Sequence, residues 1–297
     1  MRLLALLLAL STATLGAGAL DCSAVFSAQG LGYVPSATVR QLSDVASAII
    51  QPIDGRIAVV IVGQSTTHDL AGRLIRLATL RVHKGGLKDY VNPAVVFVDC
   101  AKPSENLRAW DQATDPMWVA CTTKLANKGL TRAQVQVVYG GLVEANTVDP
   151  LTGATITEAQ MRGFVSAAAQ WAPNLKQVFV SGINSPMYCA GACKVTEPSI
   201  WHDGRLLSEL VEGGGWPVLS VEYVELWASS APNPATAAVT PSGAILAPAI
   251  ALDCAVDMKD DGIHQTDVGA REAAASVLGR LLIHHEWLRR NATMDLP

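Results

Sequence analysis

The sequence predicts a three-layer α/β/α fold, doubly wound around a five-stranded parallel sheet. Five short apolar runs alternate along the chain with stretches of helical periodicity, the pattern of α/β proteins. The runs are apolar at nearly every position, which is typical of parallel strands that are buried on both faces. The predicted strands cover residues 57–62, 94–98, 135–139, 177–180 and 217–221.

Helices and loops are predicted between and after these runs. Thr131 and Thr157 each precede helix-forming residues, so both are predicted N-caps. Two further segments are predicted loops: residues 184–201 are rich in Pro, Cys and Gly, and residues 227–248 are rich in Ala, Pro, Ser and Thr. Each loop is expected at the carboxyl edge of the predicted sheet, where it either shapes a substrate site or is a surface segment with no role in binding. The predicted helices cover residues 70–80, 116–125, 158–171 and 270–287.

Composition bounds the class of protein. The chain has 297 residues, 50% of them hydrophobic and 16% charged, which suits one globular domain with a large core. Its net charge of −4 gives no electrostatic argument for binding nucleic acid or an anionic membrane. After the N-terminal leader, no segment is apolar over the roughly 20 residues that a membrane span needs, so no stable membrane anchor is expected.

The N-terminus has the features of a secretory signal peptide. One arginine, a leucine-rich stretch and Ala17-Gly18-Ala19 predict a signal peptide over residues 1–19 and a single mature domain over residues 20–297. The alternative is an uncleaved anchor. Cleavage places the protein outside the cell, or in the periplasm of a bacterium.

Cysteine usage agrees with an oxidising compartment. An even number of cysteines in a secreted chain predicts three disulfides, with the pairing left open. Metal binding is the competing interpretation, but only one close Cys pair is present and no His has finger-like spacing. The six cysteines are Cys22, Cys100, Cys121, Cys189, Cys193 and Cys254.

A serine stands where the first predicted strand ends. Gly63-Gln64-Ser65 follows the run 57–62 directly, which places Ser65 at the carboxyl edge of the sheet. Open parallel sheets bind their ligands at this edge, and the amides of a helix that starts there favour an anion. Ser65 is therefore a candidate nucleophile, with helix capping as the structural alternative.

An acid and a base stand near the C-terminus at a spacing that suits catalysis. Asp261 and His264 are three residues apart, so the carboxylate can hold one imidazole nitrogen while the other nitrogen faces a nucleophile. Turn and capping chemistry before the last helix is the alternative. With Ser65, these two residues are the candidate catalytic triad.

Together these blocks resemble the SGNH (GDSL-like) hydrolase superfamily. Gly63-Gln64-Ser65 follows the first strand, and Asp261-Gly262-Ile263-His264 with Gly269 precedes the last helix, in an order of elements that covers the mature chain. Gln64 stands where the family has Asp, which is similar to its acetylesterase branches. The resemblance implies a flavodoxin-like SGNH hydrolase fold with no metal or organic cofactor. It assigns Ser65 as nucleophile, His264 as base and then acid, and Asp261 as the group that orients His264.

The resemblance also implies an oxyanion hole, and here the sequence departs from the family. The family uses the amide of the nucleophile, a Gly after the second strand and an Asn after the third strand. Ser104 is the nearest substitute for the Gly, and Asn146 stands several residues late. Because the loss of one donor costs about 10²–10³ in rate, two hypotheses stay open. The protein is either a secreted serine esterase that removes a small acyl group, with carbohydrate esters as candidate substrates, or a weak or inactive SGNH-fold protein that binds a glycan or another ligand.

Several other side chains have alternatives that the sequence leaves open. On a helix, His68 faces the same side as Ser65 and either lines the pocket or faces solvent. A metal-dependent hydrolase is a third hypothesis, although no H-E-x-x-H spacing is present; its ligands are Asp99, His68, His202 and His264. Three tryptophans either stack on a sugar ring or pack in the core: Trp110, Trp118 and Trp201. Asp257 is expected at a loop surface.

Overall fold

The computed structural model describes most of the chain between residues 49 and 290. The described residues are 49–81, 84–144, 155–182, 206–207, 209–218, 220–224, 238–239, 245–247, 254–257, 259 and 264–290. The predicted signal peptide, the predicted loop 184–201, most of the predicted loop 227–248, Asn146, Trp201, His202 and Asp261 lie outside them.

One five-stranded parallel sheet forms the centre of the protein. Its strand order is β2-β1-β3-β4-β5, and every neighbouring pair is parallel. This is the order of flavodoxin-like doubly wound sheets, so the predicted fold class is confirmed. The strands are β1 (Ile57–Gly63), β2 (Val95–Asp99), β3 (Val135–Leu142), β4 (Gln177–Gly182) and β5 (Ser220–Tyr223).

Helices cover both faces of this sheet. The helices are α1 (Ser65–Thr79), α2 (Pro116–Ala126), α3 (Glu158–Trp171), the short α4 (Cys254–Asp257) and α5 (Asp267–His284). Successive side chains of a strand point to opposite faces. Val60 and Val62 therefore pack into a core with α2 and α3, whereas Val59 and Ile61 pack into a second core with α1 and α5. A two-stranded ribbon pairs β6 (Ala238–Val239) with β7 (Ile245–Ala247) in antiparallel fashion.

Two predicted elements differ from those observed. The fifth strand was expected over 217–221, but it covers Ser220–Tyr223. It does not begin at Pro217, because proline has no amide to donate to a neighbouring strand. It continues past residue 221, because Glu222 is buried and accepts hydrogen bonds from Ser220 and Gln177. Thr131 is the N-cap of a helix start, in a capping box with Gln134, but the helix is only a single 3-10 turn over Arg132–Gln134, since the chain enters β3 at Val135.

Other predicted features match the structure. Thr157 caps α3 in a capping box with Gln160. Trp118 is fully buried and packs against Trp171 at a tilt of 34°, with 4.8 Å between ring centroids, and Trp110 lies edge-on to Trp118 at 5.1 Å. Trp110 and Trp118 are therefore core residues and not sugar platforms.

A disulfide joins Cys100, immediately after β2, to Cys121 in α2. This bond agrees with the predicted use of cysteines, and both cysteines are buried. Cys22, Cys189 and Cys193 lie outside the described residues. Among the helices that are described, none is both long and apolar enough to cross a membrane.

Candidate active site

Ser65 lies at the carboxyl edge of the sheet, as the first residue of α1. β1 ends at Gly63, and Gln64 occupies the N-cap position of α1, so Ser65 is not the capping residue. The first amides of a helix have no acceptor within the helix, and together with the helix dipole they favour a negatively charged atom. Ser65 thus combines a half-buried hydroxyl with donors that suit an oxyanion.

The turn before Ser65 depends on a close approach of α1 to the sheet. Gly63 has a φ of 140°, a conformation that favours glycine. A Cβ atom there would lie 2.5 Å from the carbonyl oxygen of Gly141 and 2.6 Å from Oγ1 of Thr67. β1 and β3 are in register at this level, with Gly63 beside Gly141. Small residues on both strands therefore let the start of α1 sit directly on the sheet.

His264 reaches Ser65 from the far end of the chain. Nε2 of His264 lies 3.0 Å from Oγ of Ser65, although 199 residues separate them. Both side chains are partly buried. This is hydrogen-bond distance, at which an imidazole can take the proton of a serine hydroxyl. Asp261, the third member of the predicted triad, lies outside the described residues.

The start of α5 fixes the position of His264. Thr266 caps α5 by accepting from the amide of Gly269 at 3.1 Å, and its own amide donates to the carbonyl of Asp257 at 2.7 Å. The carbonyl of His264 accepts from the amide of Lys259 at 2.8 Å. Asp257 was expected at a loop surface, but it is buried because the first turn of α5 packs over it.

An ion pair ties the two helices of the site together. Arg73 of α1 contacts Asp267, the first residue of α5. The pair joins the helix that begins with Ser65 to the helix that follows His264. Arg73 lies about two helical turns beyond Ser65 along α1.

A histidine–carboxylate pair lies one helical turn from Ser65. Nδ1 of His68 is 2.6 Å from Oδ2 of Asp99, the last residue of β2. The other carboxylate oxygen of Asp99 accepts from the amide of Ala101 at 3.0 Å. Burial raises the pKa of Asp99 above its ordinary value, while His68, Lys124 and the amide of Ala101 act in the opposite direction.

Of the two residues predicted to complete the oxyanion hole, Ser104 is among the described residues and Asn146 is not. Ser104 is exposed in a turn after β2 and has a φ of 68°. This turn is held close to the site, because the amide of Lys102 donates to the carbonyl of Gly63 at 2.9 Å. Beyond β3, Glu144 is buried and accepts from Nε of Arg108 at 3.2 Å. Asn146 lies outside the described residues.

The contact between His68 and Asp99 was missed by sequence reasoning. A signal was present, since Asp99 ends the second strand and His68 follows Ser65 by three residues, so both lie at the same sheet edge. Sequence reasoning placed His68 either at the pocket or in solvent, and it grouped His68 with Asp99 only as candidate ligands of a metal site. Within the described ranges, no group of three or more His, Cys, Asp and Glu is placed to hold a metal ion.

Comparison of the chain with protein-family models and with curated proteins returns no match. The chemical interpretation of the site therefore rests on the geometry of its own residues.

Proposed function

We propose that this protein is a secreted serine hydrolase that cleaves a carboxylic ester through an acyl-enzyme. The observation that carries the proposal is the 3.0 Å distance between Nε2 of His264 and Oγ of Ser65 at the carboxyl edge of the sheet. A nucleophile within reach of a base, placed at a helix N-terminus, is the arrangement that acyl transfer requires. The resemblance of the sequence blocks to SGNH hydrolases supports the same chemistry.

In the proposed reaction, Oγ of Ser65 attacks the ester carbonyl carbon while Nε2 of His264 takes its proton. The negative charge that develops on the carbonyl oxygen is stabilised by amides at the start of α1. His264 then gives the proton to the departing alcohol, which leaves the acyl group on Ser65. A water molecule, deprotonated by His264, attacks the acyl-enzyme, and the free acid is released as Ser65 recovers its proton.

Asp261 has the orienting role in this proposal. Its place in the sequence, three residues before His264, suits a carboxylate that holds the second imidazole nitrogen. Such a partner keeps the histidine in the tautomer that leaves Nε2 free to accept the serine proton. The assignment rests on the sequence spacing and on the resemblance.

Secretion is supported by two independent features. The leader over residues 1–19 has the composition of a signal peptide. The disulfide between Cys100 and Cys121 is of the kind that forms in oxidising compartments. Small acyl groups, including acetyl groups on carbohydrate, are the proposed substrates because of the resemblance of Gly63-Gln64-Ser65 to acetylesterases.

The test compares the protein with its Ser65→Ala and His264→Ala variants. The assays are hydrolysis of 4-nitrophenyl acetate and covalent labelling by a fluorophosphonate, with the labelled peptide identified by mass spectrometry. We expect the label on Ser65, no label in Ser65→Ala, and a loss of about 10³-fold or more in turnover for both variants. Ser276→Ala, in the buried part of α5, is the matched control for removal of a serine hydroxyl.

Unchanged turnover in Ser65→Ala would remove Ser65 from the mechanism and overturn the proposal. A folded protein that neither labels nor turns over any ester tested would instead support the alternative role. In that role the protein keeps an SGNH-like fold but only binds a glycan or another ligand. Calorimetry would then show binding of acetylated sugars, with no hydrolysis of them.

A further inference from the structure

His68 and Asp99 form an imidazole–carboxylate pair that the proposed triad does not use. The pair lies on the β2 side of Ser65, because Asp99 ends β2 and His68 belongs to the first turn of α1. Residues three apart on a helix have Cβ atoms about 5–6 Å apart. The imidazole of His68 is therefore close enough to Ser65 to reach a group next to a scissile ester.

Asp99 determines which nitrogen of His68 carries a proton. An ionised carboxylate only accepts hydrogen bonds, so Nδ1, which faces Asp99 at 2.6 Å, carries a proton. In the neutral imidazole the other nitrogen, Nε2, is then an acceptor. The side chain of His68 is 46% exposed, whereas that of Asp99 is 17% exposed. The pair thus combines a largely buried carboxylate with an imidazole ring that solvent can reach.

The surroundings hold Asp99 in place. The second carboxylate oxygen of Asp99 accepts a hydrogen bond from the amide of Ala101. Cys100, which follows Asp99 in the sequence, is joined to α2 by its disulfide with Cys121. Nζ of Lys124 lies 3.5 Å from the carbonyl of Ala101 on the same side. A carboxylate that is hydrogen-bonded and anchored in this way is suited to orient a neighbouring ring.

We propose that His68, oriented by Asp99, is a specificity-determining residue of the Ser65 site, and that its Nε2 accepts a hydrogen bond from a substrate hydroxyl next to the scissile ester. The favoured substrate class is thus an ester whose alcohol carries a further hydroxyl group, such as a partly acylated polyol or sugar. This inference rests on the proposed function of Ser65. His68 contacts the substrate, and Asp99 is a positioning residue that acts through His68.

The experiment measures a substrate preference with a matched pair of esters. Glycerol monoacetate and propyl acetate share the acyl group and the three-carbon alcohol, and differ in two hydroxyl groups. The readout is the ratio of their kcat/KM values at a mildly alkaline pH. We expect His68→Ala to lower this ratio about three- to tenfold, the size of one lost hydrogen bond. Fluorophosphonate labelling of the variant shows that Ser65 is still reactive, and the ratio cancels any change in rate that both esters share.

Asp99→Asn tests the tautomer directly. The amide of Ala101 needs an acceptor, so the oxygen of Asn takes that bond and its NH₂ group faces Nδ1 of His68. Nδ1 then becomes the acceptor, and Nε2 carries the proton. The imidazole is still present but can now only donate from Nε2, and because a hydroxyl can also accept, the preference ratio falls less than in His68→Ala. Arg76→Ala, on an exposed position of α1, is the control and keeps the ratio.

The outcomes separate this inference from the proposed function. A fall of the ratio in His68→Ala, with a smaller fall in Asp99→Asn and with Ser65 still labelled in both variants, supports the role of His68. A ratio retained in His68→Ala, while the parent protein is labelled and active, overturns that role and leaves the proposed function intact. A parent protein that is neither labelled nor active removes the proposed function, and the inference falls with it.

Discussion

Gly269 packs directly against the backbone of Asp257. A Cβ atom at Gly269 would lie 2.8 Å from Cα of Asp257 and would overlap its carbonyl oxygen. The same carbonyl accepts from the amide of Thr266, so α4 and the first turn of α5 are held in contact. His264 stands two residues before Thr266, and its geometry toward Ser65 depends on this contact.

Gly269→Ala is therefore expected to destabilise the protein and to disturb the site. The overlap involves backbone atoms, which cannot rotate away, and overpacking of this kind costs about 1–3 kcal/mol. Urea unfolding measures the free energy, and the rate of fluorophosphonate labelling measures the effect on Ser65. Gly72→Ala is the control, since a Cβ at this exposed position of α1 meets nothing within 4 Å. It should stabilise the helix by about 0.5–1 kcal/mol. Equal stability of the two variants would contradict the packing argument.

Gly141→Ala is expected to displace the start of α1. A Cβ at Gly141 would overlap Oγ1 of Thr67 and lie 3.0 Å from its Cβ and Cγ2. Because a displacement of about 1 Å at a catalytic group can cost about 10²-fold, ester turnover should fall by that order. Thr67→Ala removes Oγ1 and Cγ2, so the double variant should recover part of the loss. A double-mutant cycle on turnover and on unfolding free energy checks this coupling. Additive effects would show that the two residues do not meet.

The Cys100–Cys121 disulfide is expected to stabilise the fold and the carboxyl end of β2. A bond between residues that are 21 apart should contribute about 3 kcal/mol by restricting the unfolded chain. Replacing both cysteines by alanine avoids a free thiol, and urea unfolding then measures the loss. We also expect a smaller preference for glycerol monoacetate, since Asp99 precedes Cys100. An unfolding free energy equal to that of the parent protein would show that the bond contributes nothing.

Asp99 makes stability depend on pH in a defined direction. Burial raises its pKa above the ordinary value of 3.8, so the folded protein holds the proton more tightly than the unfolded chain does. As pH rises from 3.8 through the folded pKa, the unfolded chain ionises first, and the free energy of unfolding falls. Above the folded pKa the loss is complete.

Asp99→Asn removes this titration. The unfolding free energy of the variant minus that of the parent should therefore increase with pH across the same window and then level off. Urea unfolding of both proteins at a series of pH values measures the difference. The neighbouring charges, His68 and Lys124, are present in both proteins and serve as an internal control. A difference that is constant or decreases with pH would exclude burial as the dominant influence on Asp99.

The sequence alone determined the fold class and the two ends of the site. Apolar runs with strand length, separated by helical periodicity, specify a parallel sheet because both signals act over a few residues. Ser65 was placed at a strand end by the run before it, and His264 was placed before the last helix by its motif. Their contact across 199 residues arises because α5 packs with α1 on one face of the sheet.

Tertiary structure decided what depends on neighbours from other elements. Local periodicity misplaced β5, since only pairing with β4 shows that Glu222 is buried by Gln177. It identified Thr131 as a helix N-cap, but it did not show that the helix stops after one 3-10 turn, where the chain enters β3. The contact between His68 and Asp99 likewise exists because β2 lies beside β1, a neighbourhood set by long-range packing. The sequence therefore determined which residues end at the carboxyl edge, and the strand order determined which of them meet.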